Sequence, residues 1–515
     1  MSRILYSTAE IRAIEAAHAK KKPKESLMLR AGGAVAAMAS KIAKKKRGAS
    51  ILVLAGPGNN GGDAWVAAAA LKKAGQSVTV LAPHEQKNTD PAAKSAMTAY
   101  RKAKGAVVTK FPDAEKFDLI IDGLFGIGLQ RAPEGSFADA ITHANANADR
   151  HHTPILAIDV PSGLSADTGV AFGATIQADF TITFLGAKPG LYTAAGVDAA
   201  GEIQIDDLGV AGVASQGELL DAASVAPYIP KRRNNSHKGS FGNVGIVGGA
   251  SGMMGAAVLS ARAALHMGPG KVFLGFAAKD APGFDTINPE IMVHTAEKVV
   301  ADESLTAVAV GMGLGVDKTA PRLLSAVVAR ALPMVIDADA LTLIASNPSI
   351  HAVLEAKMAG TPHQTSSLVF TPHPGEAARL LGVTSGEIQS DRVTAAKSIA
   401  TKFKAITVLK GAGTIIASPD GRYWINTSGN PGMASGGMGD ALSGMIAAFL
   451  AQGMDALNAA KIGVYLHGAA ADECLAHGMA PHGLTASEVI FEARTLLNAG
   501  LQVHDHGHEH EHEHE

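Results

Sequence analysis

Short apolar runs that end in glycine or aspartate and lead into alanine-rich helical stretches constrain this chain more than any other feature. They recur at 51–55, 77–82, 118–122, 155–159 and 179–184, behind two amphipathic helices at about 7–20 and 25–44. A strand that is apolar along its whole length is covered on both faces, and a helix between two strands returns the second parallel to the first. Residues 1–210 are therefore expected to form a doubly wound parallel sheet, with ligands beyond the carboxyl ends of its strands. The pattern fades between Gly209 and Asn235, where Pro227, Pro230 and Lys231-Arg-Arg233 stand. A second α/β series follows, with strands near 244–248, 271–276, 306–310, 333–337, 367–371, 405–410 and 414–418. The last two flank Gly411-Ala-Gly413 and read as a strand, a tight turn and a strand. A glycine-rich helix start follows at 436–450. The expected organisation is a domain at 1–215, a linker at 216–233, a second domain at 234–502 and a disordered tail at 503–515. That tail alternates His with Glu and cannot bury apolar surface.

Composition excludes several classes. A chain of 515 residues is too long for one ordinary core. With 47% hydrophobic residues and 57 glycines it suits an α/β protein rich in turns, not a disordered chain. Lys+Arg 45 against Asp+Glu 47 leaves a net charge of −2, so no global field draws nucleic acid or a membrane surface. The basic clusters at 20–24 and 44–47 are expected to sit on solvated helix ends. Cys474 is the one cysteine, so no disulfide forms within the chain, in keeping with a reducing, cytoplasmic setting. No apolar run reaches about 18 residues, so no membrane span is expected. The first 20 residues lack a secretory pattern, and Ser7-x-x-Glu10 reads as a capping box opening the first helix.

Gly56-Pro-Gly58-Asn-Asn-Gly61 satisfies the glycine pattern of a dinucleotide-binding turn. The following strand, however, runs into Ala82-Pro83-His84 without the acid that grips a ribose diol, and Glu85 comes late. An ordinary dehydrogenase is therefore disfavoured. Three strand ends deliver polar side chains that should converge: Asn59-Asn-Gly-Gly-Asp63, Asp122 before Gly123-Leu-Phe-Gly126-Ile-Gly128, and Asp159-Val-Pro-Ser162. Asn60, Asp122 and Ser162 offer an amide, a carboxylate and a hydroxyl, hard oxygen donors better suited to a monovalent cation or water than to zinc. Asp159, before a rigid Val-Pro, is the candidate for acid–base work or for gripping a polar ring substituent.

In order and spacing, GPGNNGGD, DGLFGIG and DVPSG resemble the NAD(P)H-hydrate epimerase domain, with SLMLRAGGAVA and FLGAKPGL similar to its flanking segments. The family, whose domain is Rossmann-like, interconverts the R and S epimers of NADH and NADPH that carry water across a ring double bond, with a hydroxyl at C6. The resemblance implies that Asn59, Asn60, Gly61, Gly62 and Asp63 contact the hydrate. It implies the same for Gly126, Ile127, Gly128, Leu129, Gln130, Arg131 and Ala132, with Asp159. Asn60, Asp122 and Ser162 would bind K⁺. The chain departs from the family at Ala64, where a further glycine is usual, and at Pro133, where the proline usually lies nearer Arg131.

The second half carries Asn430-Pro-Gly-Met-Ala-Ser435-Gly-Gly-Met-Gly439-Asp440. Its glycines would let backbone N–H groups form an anion hollow at a helix N-terminus, with Asp440 facing it. No Walker A sequence is present, which excludes a P-loop enzyme at the level of motif. GGMGD before an apolar helix is similar to the anion hole of ribokinase-like folds. NSHKG, FGNVGIVGG, TPHPGE and VLKGAGT resemble the ADP/ATP-dependent NAD(P)H-hydrate dehydratase within that superfamily, over about 228–500. Asp440 would then be the catalytic base, with Gly436, Gly437 and Gly439 stabilising charge. Lys410, Gly411, Ala412, Gly413 and Thr414 would hold the nucleotide, with Gly439. Ala256, Gly313 and His373 would contact the hydrate, although His373, between two prolines, reads equally as a helix cap. Asp337 and Asp339 end a strand and read as helpers for metal or phosphate, with Mg²⁺ expected across the phosphates. His266 and His467 read as structural.

The resemblance thus implies a fused epimerase and dehydratase. Its partners would be NADH hydrate, NADPH hydrate and ADP, in a homo-oligomer with neither nucleic acid nor membrane. Two other readings stay open on the residues alone. One is a ribokinase-type kinase releasing a stable phosphorylated product; the other is a front domain that binds a ligand or partner without catalysis.

Overall fold

The computed structural model describes residues 3–22, 25–43, 48–83, 90–229, 231–359 and 367–500. The basic cluster at 44–47, Glu85 and the tail expected to be disordered lie outside the described residues. The chain divides into two compact units: Met1–Leu219 with the short segment Gln389–Arg392, and the remainder from Leu220 onward.

Among the described residues of the first unit, seven parallel strands run in the order Ala106–Val108, Ser77–Leu81, Ser50–Ala55, Leu119–Gly123, Ile155–Ile158, Phe180–Phe184 and Glu202–Asp206. The central strands are buried almost throughout, which is why they read as unbroken apolar runs. The two edge strands, Ala106–Val108 and Glu202–Asp206, were not expected; they are partly exposed and carry no such run. Leu54 pairs with Asp122, and Asp122 with Ala157, so three strands finish side by side. Chain order reverses between Ser50–Ala55 and Leu119–Gly123, because the next strand goes to one side and the later strands to the other. A crevice opens at such a reversal, outside the carboxyl ends. The first helix, Thr8–Lys21, starts at the expected capping box, with the Glu10 carboxylate accepting from Ser7 N at 2.7 Å. Helix Asn59–Lys73 buries Trp65 edge-on to Tyr100, with ring centroids 5.7 Å apart.

In the second unit the order is Tyr423–Asn426, Ile415–Ala417, Ile406–Leu409, Leu368–Phe370, Met334–Ile336, Ala307–Val310, Asn243–Gly248, Lys271–Phe276 and Met292–Thr295. These strands are parallel except for the first two in that order, which form an antiparallel meander with Ile406–Leu409. Here order reverses between Asn243–Gly248 and Ala307–Val310. Helix Met438–Ala451 is buried on nearly every side. A Cβ on Gly444 would collide with the Ser260 carbonyl, so this helix meets Met254–His266 backbone against backbone.

The stretch expected as linker carries regular structure instead: Gly217–Leu220 is a strand antiparallel to Ile4–Leu5, and Ala222–Val225 a short helix. Cys474 is fully buried, and burial pushes its thiol up to about 11. Among the described residues, no helix is long and apolar enough to cross a membrane.

Candidate active sites

The crevice of the first unit is a cleft of about 1180 Å³. Strand Ser50–Ala55 feeds it through Gly56, and the next helix begins at Asn59, although the alanine-rich helical pattern of the sequence starts only at Ala64. Asn59 to Asp63 therefore form helical turns, not a loop. Gly58 caps that helix without a side-chain bond, leaving an N-terminus suited to an anionic group. Gly56 and Gly61 are required for close approach. A Cβ on Gly56 would strike the Leu124 carbonyl, and one on Gly61 the Gly56 carbonyl. Gly58, by contrast, faces open space. The dinucleotide-like glycine pattern thus locks two strand-end turns together.

Asp122, Ser162 and Asn60 converge behind the cleft. Asp122 is fully buried and accepts from Ser162 Oγ at 2.7 Å and Ser162 N at 2.8 Å. Burial pushes its carboxyl up to about 6, with the Ser162 and Leu124 hydrogen bonds opposing. Ser162 Oγ accepts from Phe125 N at 2.9 Å, so the serine also shapes the 123–126 turn. Asn60 is buried, and neither polar atom of its amide has a hydrogen-bond partner among the described residues. The position a Cβ would take on Gly126 lies 3.2 Å from Asn60 Oδ1 and 3.3 Å from Asp159 Oδ2, which sets that turn between the two side chains.

Asp159 ends strand Ile155–Ile158 with φ of 65°, a left-handed conformation that aspartate tolerates better than most residues. Its Oδ1 accepts from Lys188 Nζ at 2.6 Å, and Lys188 is buried completely. The same ammonium donates to Thr183 Oγ1 at 2.8 Å and the Phe184 carbonyl at 2.6 Å. Asp63 also lines the cleft; burial, and then Asp159 and Glu15, hold its carboxyl well above the usual range.

Of the expected contacts, Asn59, Asn60, Asp63, Gly126 to Arg131 and Asp159 line the cleft. Gly61 and Gly62 are buried within the helix start, and Ala132 lies against Gly173, away from the lining. Sequence reasoning missed the roles of Lys188, Glu15, Arg12 and His18, all of which line the cleft. Lys188 falls inside FLGAKPGL, which carried resemblance but no chemistry. The other three look like the polar positions of any amphipathic helix.

In the second unit, Gly437 caps helix Met438–Ala451 with φ of 89°, and Asp440 lies in its first turn. Lys410 Nζ donates to Asp337 Oδ1 at 2.8 Å and lies 3.1 Å from where a Cβ on Gly439 would be. Burial opposes the Lys410 ammonium, but Asp337, Glu376 and Asp440 outweigh it and hold the group above the usual lysine range. Burial, and then Asp337, pushes Asp440 up to about 6 against the pull of Lys410. Asp337 also accepts from Ser443 Oγ at 2.7 Å, and Asp339 from Gly315 N at 2.8 Å. Both aspartates are thus engaged in holding the site together. Among the described residues no group of three His, Cys, Asp or Glu is arranged to hold a metal ion.

Ala256 and Gly313 meet at the reversal point of this sheet, their positions 3.4 Å apart as a Cβ on Gly313 would see Ala256 Cβ. His373 caps helix Pro374–Leu381: its Nδ1 accepts from Gly375 N at 3.0 Å, and Glu376 accepts from His373 N at 2.8 Å. Burial, and then Lys410, lower its pKa below the usual histidine range. Gly411 and Gly413 turn the exposed hairpin with φ of 136° and 61°, and Thr414 Oγ1 closes it on the Gly411 carbonyl at 3.0 Å.

Residues 244–492 match the family model described as NAD(P)H-hydrate dehydratase, and residues 24–190 that described as YjeF-related protein N-terminus. The chain is 39% identical to the bifunctional NAD(P)H-hydrate repair enzyme Nnr of Escherichia coli (strain K12), over 92% of this chain and 89% of the relative. It is 36% identical to the enzyme of the same name from Coxiella burnetii (strain RSA 493 / Nine Mile phase I), over 96% and 99%. A crystal structure of an ADP/ATP-dependent NAD(P)H-hydrate dehydratase from Bacillus subtilis is 30% identical, with a TM-score of 0.48 over 55% of this chain and 98% of that one.

Proposed function

The chain belongs to the bifunctional NAD(P)H-hydrate repair enzymes, and from that premise we propose which residues carry each reaction and which small molecules they take. The first unit interconverts the R and S hydrates of NADH and NADPH. Asn59 to Asp63, Gly126 to Ala132 and Asp159 bind the hydrate, and Asp159 handles a proton at C6. Two unpartnered amide atoms on buried Asn60, beside the Asp122 carboxylate and the Ser162 hydroxyl, make a hard-oxygen set that fits K⁺. These three residues would hold the ion, which supplies fixed positive charge next to the substrate.

The second unit removes water from the S hydrate. Hydroxide is a poor leaving group, so the C6 hydroxyl is first phosphorylated by ADP, giving AMP. Asp440 takes the hydroxyl proton as the oxygen attacks the terminal phosphorus, and Gly436, Gly437 and Gly439 donate N–H groups to the developing charge. The ring nitrogen lone pair then expels phosphate and restores the reduced nicotinamide. Lys410 to Thr414 hold the nucleotide; Ala256, Gly313 and His373 hold the hydrate. Mg²⁺ suits a site with so few free carboxylates because it keeps water and phosphate ligands, and it would neutralise the phosphate oxygens. A cytoplasmic homo-oligomer completes the reading, checked by sedimentation of the purified chain.

The observation that carries this reading is the Lys410 ammonium, fixed by Asp337 against the N-terminal turn that bears Asp440. The test is recovery of reduced-nicotinamide absorbance from mixed R and S NADH hydrate, with ADP or ATP and Mg²⁺. Wild type recovers everything with ADP, Asp440→Asn nothing, and Asp159→Ala only the S fraction quickly. No recovery by wild type with either nucleotide overturns the reading, and activity with ATP but not ADP overturns the choice of donor.

A further inference from the structure

The two oxygens of Asp159 stand in different surroundings. Oδ1 faces the protein, accepting from Lys188 Nζ at 2.6 Å and from Thr183 Oγ1 and Phe184 N at 3.3 Å each. Oδ2 has no hydrogen-bond partner among the described residues, and it lies 3.3 Å from where a Cβ on Gly126 would be, in the turn that lines the cleft. Lys188 is completely buried, and its three ammonium protons all end on protein acceptors: Asp159 Oδ1, Thr183 Oγ1 and the Phe184 carbonyl. None is left for a ligand. The chain is shaped to deliver this ammonium. Strand Phe180–Phe184 runs into Leu185 with φ of 65°, a conformation that costs a leucine energy. Behind the turn, Tyr6 N donates to the Ala187 carbonyl at 2.9 Å, and the Tyr6 ring fills the space a Cβ on Gly186 would need. Such a pair is a poor means to stability alone, because burying an ammonium forfeits its hydration and an apolar pair of similar volume is often as stable. What it does supply is one fixed orientation for a carboxylate that opens onto a cleft.

We propose that Lys188 is a positioning residue of the epimerase site, pinning Asp159 by Oδ1 so that Oδ2 alone works on the hydrate. This role rests on the reading of Asp159 as the group that handles the proton at C6. Lys188 itself neither touches the hydrate nor carries a proton to it, since its three donors are spent inside the protein. Thr183 is the second member of the device. Its hydroxyl accepts from the ammonium at 2.8 Å and donates to Oδ1, so it ties the two charged groups together from the neighbouring strand. Without the ammonium the carboxylate would keep only the two longer contacts on Oδ1 and would be free to turn. The working oxygen would then leave the place beside the Gly126 turn, and a misplaced group loses much of the rate that orientation supplies.

The test follows conversion of R hydrate to S hydrate without nucleotide, by wild type, Lys188→Met, Thr183→Val and Asp159→Asn. Lys188→Met keeps the stem and drops the charge. It should lower kcat about 100-fold with KM within about threefold, because a displaced carboxylate harms the chemical step and leaves the cleft intact. Thr183→Val keeps the shape and drops the hydroxyl, and should lower kcat at least about threefold with KM again held. Asp159→Asn should fall at least as far as Lys188→Met. A Lys188→Met kcat within about tenfold of wild type, or a change in KM alone, overturns the positioning role and leaves the epimerase reading intact. If Lys188→Met does not fold, as judged by circular dichroism, Thr183→Val decides, and a kcat within about threefold of wild type overturns the role. Asp159→Asn working at the wild-type rate overturns the reading of Asp159 on which the role rests. A wild type unable to convert R hydrate overturns the epimerase reading itself.

Discussion

Asp440, pushed up to about 6 by burial and by Asp337, is mostly ionised at neutral pH yet still basic enough to accept a hydroxyl proton. With Asp440 as the proposed base, dehydration of S hydrate should rise with pH, about tenfold per unit below pH 6, and level off above it. A rate that is flat from pH 4.5 to 7 would remove Asp440 from that role. His467 titrates with the opposite sign. It is buried with an Nε2 that has no partner among the described residues, and burial, helped by Lys410, lowers it to about 4. Its folded value lies below that of an exposed histidine, so its contribution is complete above about pH 6.5 and is lost as pH falls towards 4. That loss is about 3 kcal/mol at most. Denaturant midpoints between pH 4 and 7 should show a shallower decline in His467→Leu than in wild type. At this scale the sequence revealed groups whose neighbours are also neighbours in the chain: Asp159 before its proline, Asp440 behind its glycines. It hid Lys188, 29 residues beyond Asp159, because an ion pair formed by folding leaves no spacing to read.

At the scale of elements, the glycines of the first turn differ in what they hold apart. Gly61→Ala would drive a methyl group into the Gly56 carbonyl and should cost about 1–3 kcal/mol of stability, along with most of the epimerase activity. Gly58→Ala, at φ of −97° and facing open space, should leave the denaturant midpoint unchanged within about 0.5 kcal/mol. Comparing the two midpoints separates close approach from mere turn propensity. The same turn explains a boundary that was misread. Asn-Asn-Gly-Gly carries loop chemistry, yet the helix begins there, because contact between Gly56, Gly61 and Leu124 fixes a backbone that local preference would not choose. Most strands buried on both faces were placed within a residue or two, but Tyr423–Asn426, buried throughout, was missed. Edge strands such as Glu202–Asp206, half-exposed and charged, offered no apolar signal. The strand and helix inside the expected linker were missed for a similar reason: Gly217–Leu220 and Ala222–Val225 are too short to establish a period.

For the whole molecule, each site draws its residues from its own unit, so each defect should stay in one activity. Asp440→Asn should still interconvert the hydrates, and Asp159→Asn should still dehydrate the S form. An equal mixture of the two variants should then convert R hydrate completely, since the S hydrate made by one can diffuse to the other. Failure of the mixture, with both single activities intact, would mean that substrate passes only within one chain. The α/β class was legible because parallel sheets announce themselves in apolar runs. The strand orders, which create both crevices, were not, since nothing local in a strand says which neighbour it will choose. Cys474 offers a practical opening here. It is the one thiol in the chain, and it is wholly enclosed and held in its protonated form. To a maleimide dye the native protein is a blank canvas. A cysteine engineered onto the surface of each unit would carry the colour by itself, turning the separation of the two halves during repair into something a fluorimeter can read.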